Sequence, residues 1–182
     1  MNMSIGVFPR PDIEKIQATM SDFLVGKGFN EMMNNSLTKS SYVEKLGGET
    51  FKSEHNVTML NPLSNDLDVM RQSLIFNALE TVAHNQNRQN SDLRIFEFGK
   101  VYHKYANYTE NKRLLIAVTG KKNGENWADA SENHSFYSLK GLVNVFFKRL
   151  GLDKFLKEKA NDNGDLLDGI QLYILKTKVG QI

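Results

Sequence analysis

The chain has 182 residues, 40% hydrophobic and 24% charged, with 23 basic against 21 acidic side chains and no cysteine. That length holds one sizeable core rather than two, and the composition is that of an ordered domain. The missing cysteines exclude a disulfide scaffold, a thiolate zinc site and a thiol nucleophile. A net charge of +2 with no clustered basic stripe in the sequence argues against a dedicated nucleic-acid or membrane binder. No apolar run approaches bilayer-spanning length, and the opening "MNMSIGVFPRPD" lacks the charged and apolar regions of a secretory signal. A cytoplasmic location with no membrane partner is expected.

Residues 1–11, punctuated by Pro9 and Pro11, read as a linker or leader, and 12–182 as one domain. Asp12 can cap a helix on which Ile13, Ile16, Met20, Phe23 and Leu24 follow helical spacing, with Gly28 as its stop. "FNEMMNNSLT" reads as extended; Ser41 and Glu44 then form an S-x-x-E capping box opening a short helix that ends at Gly47 and Gly48. "NVTML" is expected as a strand ended by the Asn61-Pro62 turn, since proline cannot donate to a ladder. From Ser73 a long helix is expected, with Leu74, Ile75, Ala78, Leu79, Val82 and Ala83 on its apolar side.

"LRIFEFGKVYH" is the clearest strand, and both of its faces are largely apolar. Such a strand is covered on both sides, which obliges Glu97 to find a partner. "RLLIAVTG" predicts another strand, closed by the Asn123-Gly124 turn. Ser138 can cap the next helix, whose stripe is Leu139, Leu142, Val143, Phe146, Phe147 and Leu150, with Gly151 as its stop. "GIQLYILKTKVGQI" predicts two strands joined by a short polar turn. Hairpins interspersed with helices predict an α+β fold, a mainly antiparallel sheet flanked by helices.

Searched for chemistry, the sequence is sparse. It holds no H-E-x-x-H, P-loop, G-x-G-x-x-G or G-x-S-x-G, and His55, His84, His103 and His134 lack ligand spacing, so no metal site is expected. Arg71 and Glu97 are the charges most deeply embedded in apolar sequence. They are expected to pair structurally, the alternative being a substrate-binding pair. Trp127 is expected as a lid at the core edge rather than a stacking platform. The basic stretches "GKKNG" and "FFKR" are expected as a solvated turn and a snorkelling helix end, not as RNA contacts.

The ordered run N-P-L-S, M-R-x-S-L, N-x-N-R and R-x-F-E-x-G-x-V, spread over "LNPLSNDLDVMRQSLIFNALETVAHNQNRQN" and "LRIFEFGKVY", resembles the bacterial-type β subunit of phenylalanyl-tRNA synthetase. The resemblance lies in that family's catalytic-like class II core, and "GFNEMMNNSL" and "FYSLKGLVNVFFKRLGL" extend it. It implies that the crowded turn before Arg71 belongs to a strand, turn and helix start that presents the amino-acid substrate in catalytic relatives. It also implies that "RIFEFGKVYHKY" corresponds to motif 2. There Tyr102 falls at the aromatic position, His103 at the phosphate-binding arginine and Tyr105 at the glutamate. A histidine offers no fixed bidentate fork to phosphate. No run resembles motif 3, and Asn35 stands where motif 1 usually carries proline.

What the resemblance implies is therefore a domain, cut short at its C-terminal end, that supports phenylalanine attachment to tRNA(Phe) without performing it. It carries no catalytic residue of its own. Ile13, Ile16, Met20, Phe23 and Leu24 would pack against the catalytic α subunit in an α2β2 enzyme. ATP and Mg2+ would bind at α, tRNA(Phe) would meet the whole enzyme, and the isolated piece would self-associate through its uncovered helix. The alternatives are a catalytically competent ATP-dependent ligase core and an independent RNA-binding domain.

Overall fold

The structure, a computed structural model, describes residues 11–46, 50–62, 64, 66–124, 127, 132–160 and 169–182. Of the expected leader at 1–11, residues 1–10 lie outside them. Helix α1, Ile13–Val25, starts where Asp12 Oδ1 accepts from the amides of Glu14 and Lys15, at 3.0 and 3.1 Å. Gly28, at φ +81°, reverses the chain beyond its end. The extended segment that follows contains β1, Asn30–Glu31, and β2, Leu37–Thr38, and leads into helix α2, Ser40–Leu46.

Ser41 lies inside α2 and is not its cap; the Ser40 amide donates instead to Asp68 Oδ1 at 2.9 Å. That cap comes from a turn distant in sequence, so local spacing cannot disclose it. The expected stop at Gly47 and Gly48 lies outside the described residues. Strands β3, Val57–Thr58, and β4, Val69–Met70, flank the proline turn, and with β2 they form an antiparallel sheet of order β2-β4-β3.

Helix α3, Ile75–Gln86, begins after Ser73, whose Oγ accepts from the Ile75 amide at 3.3 Å. Its buried residues are Phe76, Asn77 and Ala78, whereas Leu79 and Ala83 are exposed. The helix is turned from the face its apolar spacing predicts because Asn77 and Thr81 face inward to hydrogen-bond Asn35 and Asn34. Strands β5, Arg94–Lys104, and β6, Tyr108–Val118, pair antiparallel along their whole length. β6 thus begins ahead of the apolar run at Arg113, its polar start carried by the ladder to β5. It is closed by Gly120 at φ +68° rather than at Asn123 and Gly124.

β1 joins β5 in parallel, giving the order β1-β5-β6, so β5 is central as its two apolar faces predict. Phe96 of β5 and Leu24 of α1 are fully buried with Phe29, and Phe98, Leu114, Ile116 and Phe146 pack around them. Helix α4, Phe136–Arg149, is capped at Ser135 rather than Ser138. Ser138 is the third helical residue and reciprocates, its Oγ accepting from the Ser135 amide at 2.9 Å.

Strand β7, Leu156–Ala160, has no expectation to match: four of its five positions are exposed, so no apolar alternation marks it. With β8, Ile170–Ile174, and β9, Thr177–Gln181, it forms a third antiparallel sheet, β7-β8-β9. The β8–β9 turn places Leu175, not a polar residue, at φ +57°. The fold is α+β. Among the described residues no helix is long and apolar enough to cross a membrane.

Candidate functional site

The stretch "NPLSNDLDVMRQSL" carries the chain from the end of β3 through β4 to the start of α3 and delivers Arg71 against β5. Arg71 Nη1 lies 2.7 Å from Glu97 Oε1, with both side chains 3% exposed. Arg71 Nε donates to the Lys100 carbonyl at 3.0 Å and Nη1 to that of Asn35 at 3.2 Å. Its backbone also bridges, the amide donating to Ser36 O and the carbonyl accepting from the Tyr102 amide, each at 2.9 Å. Glu97 Oε2 accepts from Asn34 Nδ2 at 3.0 Å, and Asn34 Oδ1 accepts from Thr81 Oγ1 of α3 at 3.1 Å.

A buried ion pair is tolerated when hydrogen bonds offset its desolvation, and here they do so from every side. The pair is therefore a brace joining the 34–36 segment, the end of β4, α3 and β5, and its guanidinium is engaged by the protein's own acceptors. Gly99 makes the room. A Cβ there would lie 2.4 Å from Arg71 Nη2 and 2.6 Å from Leu74 Cδ2, so the glycine of R-x-F-E-x-G is a steric requirement of the pair.

Asn34, Thr81 and Gly99 take part without having been singled out from sequence; only the E-x-G spacing within an apolar strand could have flagged the last. Gln72, 4% exposed, was missed as well. Its Nε2 donates to Lys52 O at 2.9 Å and to Asn56 Oδ1 at 2.6 Å, fastening the 52–56 segment beside the brace.

Farther along the β5–β6 hairpin, His103 and Tyr105 meet. Their rings stack at 5.6 Å and 5°, and His55, at the end of the short Ser53–His55 turn, approaches Tyr105 edge-on at 4.6 Å. Burial pushes the His103 imidazole below its ordinary value, and the charges of His55 and Arg113 add to the effect. The ring is neutral near pH 7 and held in an aromatic stack, so it supplies no cation for a phosphate. Tyr105 is 54% exposed, and a phenol does not replace a carboxylate near neutral pH. Among the described residues no three His, Cys, Asp or Glu side chains gather as a metal site would require.

The five α1 residues expected at a subunit contact divide. Met20 and Leu24 are 2% and 0% exposed, built into this chain's own core and closed to any partner. Phe23 is half-buried against Phe146 and under Arg149. Ile13 and Ile16, at the N-terminal end of the same stripe, remain exposed. Trp127 covers no core: it is 98% exposed, contrary to its expectation as a lid.

Against this geometry stand the known proteins. The model of the phenylalanyl tRNA synthetase beta chain CLM domain matches residues 2–182. The phenylalanine–tRNA ligase beta subunit of Bacteroides fragilis is 48% identical over 149 residues, covering 76% of this chain and 18% of that one. That of Porphyromonas gingivalis is 40% identical over 161 residues, covering 81% and 19%. The chain thus spans about a fifth of the length of these relatives. A pyrrolysyl tRNA synthetase of Desulfitobacterium hafniense superposes with a TM-score of 0.61 over 93% of this chain and 57% of that one. At 15% identity that likeness speaks for the class II synthetase fold alone. With an α+β core of that kind and a family match running from residue 2 to residue 182, the chain belongs to the phenylalanyl-tRNA synthetase beta chain CLM domain family.

Proposed function

We propose that this domain supports the attachment of phenylalanine to tRNA(Phe) by packing against the catalytic α subunit, and that it forms no adenylate itself. The observation that carries the reading is His103, a neutral, stacked imidazole at the position where a motif 2 strand would hold its phosphate-binding arginine. The Arg71–Glu97 brace keeps the frame of the site while the chemistry has gone from it. ATP, Mg2+ and phenylalanine then bind at α, and tRNA(Phe) meets the α2β2 enzyme as a whole.

The contact surface is the uncovered ridge at the start of α1, at Ile13 and Ile16, which are 67% and 42% exposed. An obligate interface is more apolar than ordinary surface, and such a ridge suits one. Co-expression with a tagged cognate α chain tests the reading. The domain should co-purify with α, and Ile13→Asp with Ile16→Asp should weaken retention at least tenfold with an unchanged circular dichroism spectrum. Failure of α to retain the parent chain, or equal retention of the double variant, would overturn it.

A further inference from the structure

The β7-β8-β9 sheet gathers cations on one face. Lys157 and Lys178 lie directly opposite Tyr173, one on each side of it, so the three side chains share that face. Lys159 Nζ stands 5.0 Å from the centre of the Tyr173 ring and joins them. Gln171 and Gln181, themselves opposite one another, complete the face. Tyr173 Oη donates to Gln171 Oε1 at 2.7 Å, and Lys178 Nζ donates to Gln181 Oε1 at 3.2 Å. Glu158 of β7 belongs to the other face, where its Oε2 accepts from Lys140 of α4 at 2.6 Å.

Among the described residues none of the three lysines pairs with a carboxylate. The face also borders a cleft of about 540 Å³ that Lys178 lines together with Arg113 and His103, and among the described residues no Asp or Glu lines it. Strand spacing places Lys157 and Lys178 roughly 10 Å apart, within reach of one another's field at ordinary ionic strength. Like charges so disposed repel, and an anionic polymer laid across them would relieve the repulsion.

We propose that this face is a binding surface for a nucleic-acid phosphodiester backbone, held by Lys157, Lys159 and Lys178 with Arg113 across the cleft. It goes beyond the subunit role above and uses none of the α1 surface. Point cations and glutamine amides suit phosphate and sugar oxygens.

The test is fluorescence anisotropy of the full 182-residue chain with labelled U12 RNA and dT12 DNA, at 50 and 200 mM NaCl. Binding at low salt is expected to fall at least tenfold in the Lys157→Gln, Lys159→Gln, Lys178→Gln variant, with the salt slope reduced by about 2. It should stay unchanged in a Lys15→Gln, Lys45→Gln control, and the tighter of the two strands identifies the natural polymer. No binding at 50 mM, equal loss in both variants, or competition by polyglutamate as effective as by unlabelled U12 would overturn it.

Discussion

Arg71 and Glu97 show how one buried pair of charges can tie separate segments of a fold together. Their pairing was legible because charges embedded in apolar sequence must find partners, whereas the bonds from Asn34 and Thr81 depend on a helix rotation that spacing cannot give. Removing either member strands the other in a buried site, so Arg71→Ala and Glu97→Ala should each cost about 3–5 kcal/mol. The double variant should lose little more; additive losses in urea denaturation would show that the two act separately. Gly99→Ala should cost at least the 1–3 kcal/mol, roughly, of an overpacked core, because its methyl must displace the Arg71 guanidinium. A parent-like urea midpoint would contradict this.

His103 gives the domain a pH dependence of definite sign. Its pKa is lowered in the folded chain by burial first and then by His55 and Arg113; that of His134 is lowered by burial and by Arg94 and Lys122. The unfolded chain therefore takes up these protons first. Their stabilisation is full above about pH 6.5 and lost as pH falls through the folded values. The urea midpoint should fall between pH 7.5 and 5.5, and less steeply in His103→Gln. A midpoint flat over that range would contradict the assignment.

Among the elements, those with strong periodicity were legible. Strand β5 announced itself as central by two apolar faces, and α1 and α4 by their stripes. Starts and ends were less so. Helix α2 is capped from Asp68, a residue of another turn, and β7 exists because β8 offers it a ladder rather than because its lysines and glutamate prefer a strand. For α4 the reciprocal bond between Ser135 and Ser138 means that both serines matter. Ser135→Ala should destabilise by about 1 kcal/mol, and Ser138→Ala should also lower the thermal midpoint. If only Ser138→Ala did so, the helix would start where its sequence first suggests.

At the scale of the whole molecule, the chain keeps the architecture of a synthetase core, and on the proposed reading the stacked ring of His103 stands where a phosphate would need a cation. The family was legible from the ordered motifs between Asn61 and Val101. The basic face of β7-β8-β9 was not, since it is assembled by pairing across strands that lie apart in sequence. Whether this frame can still activate an amino acid is the question on which the account turns. Phenylalanine-dependent ATP–pyrophosphate exchange by the purified 182-residue chain answers it most directly. No exchange above the rate without phenylalanine is expected, and none gained when the cleft residues are varied. Exchange by the parent chain that disappears in His103→Ala would contradict it.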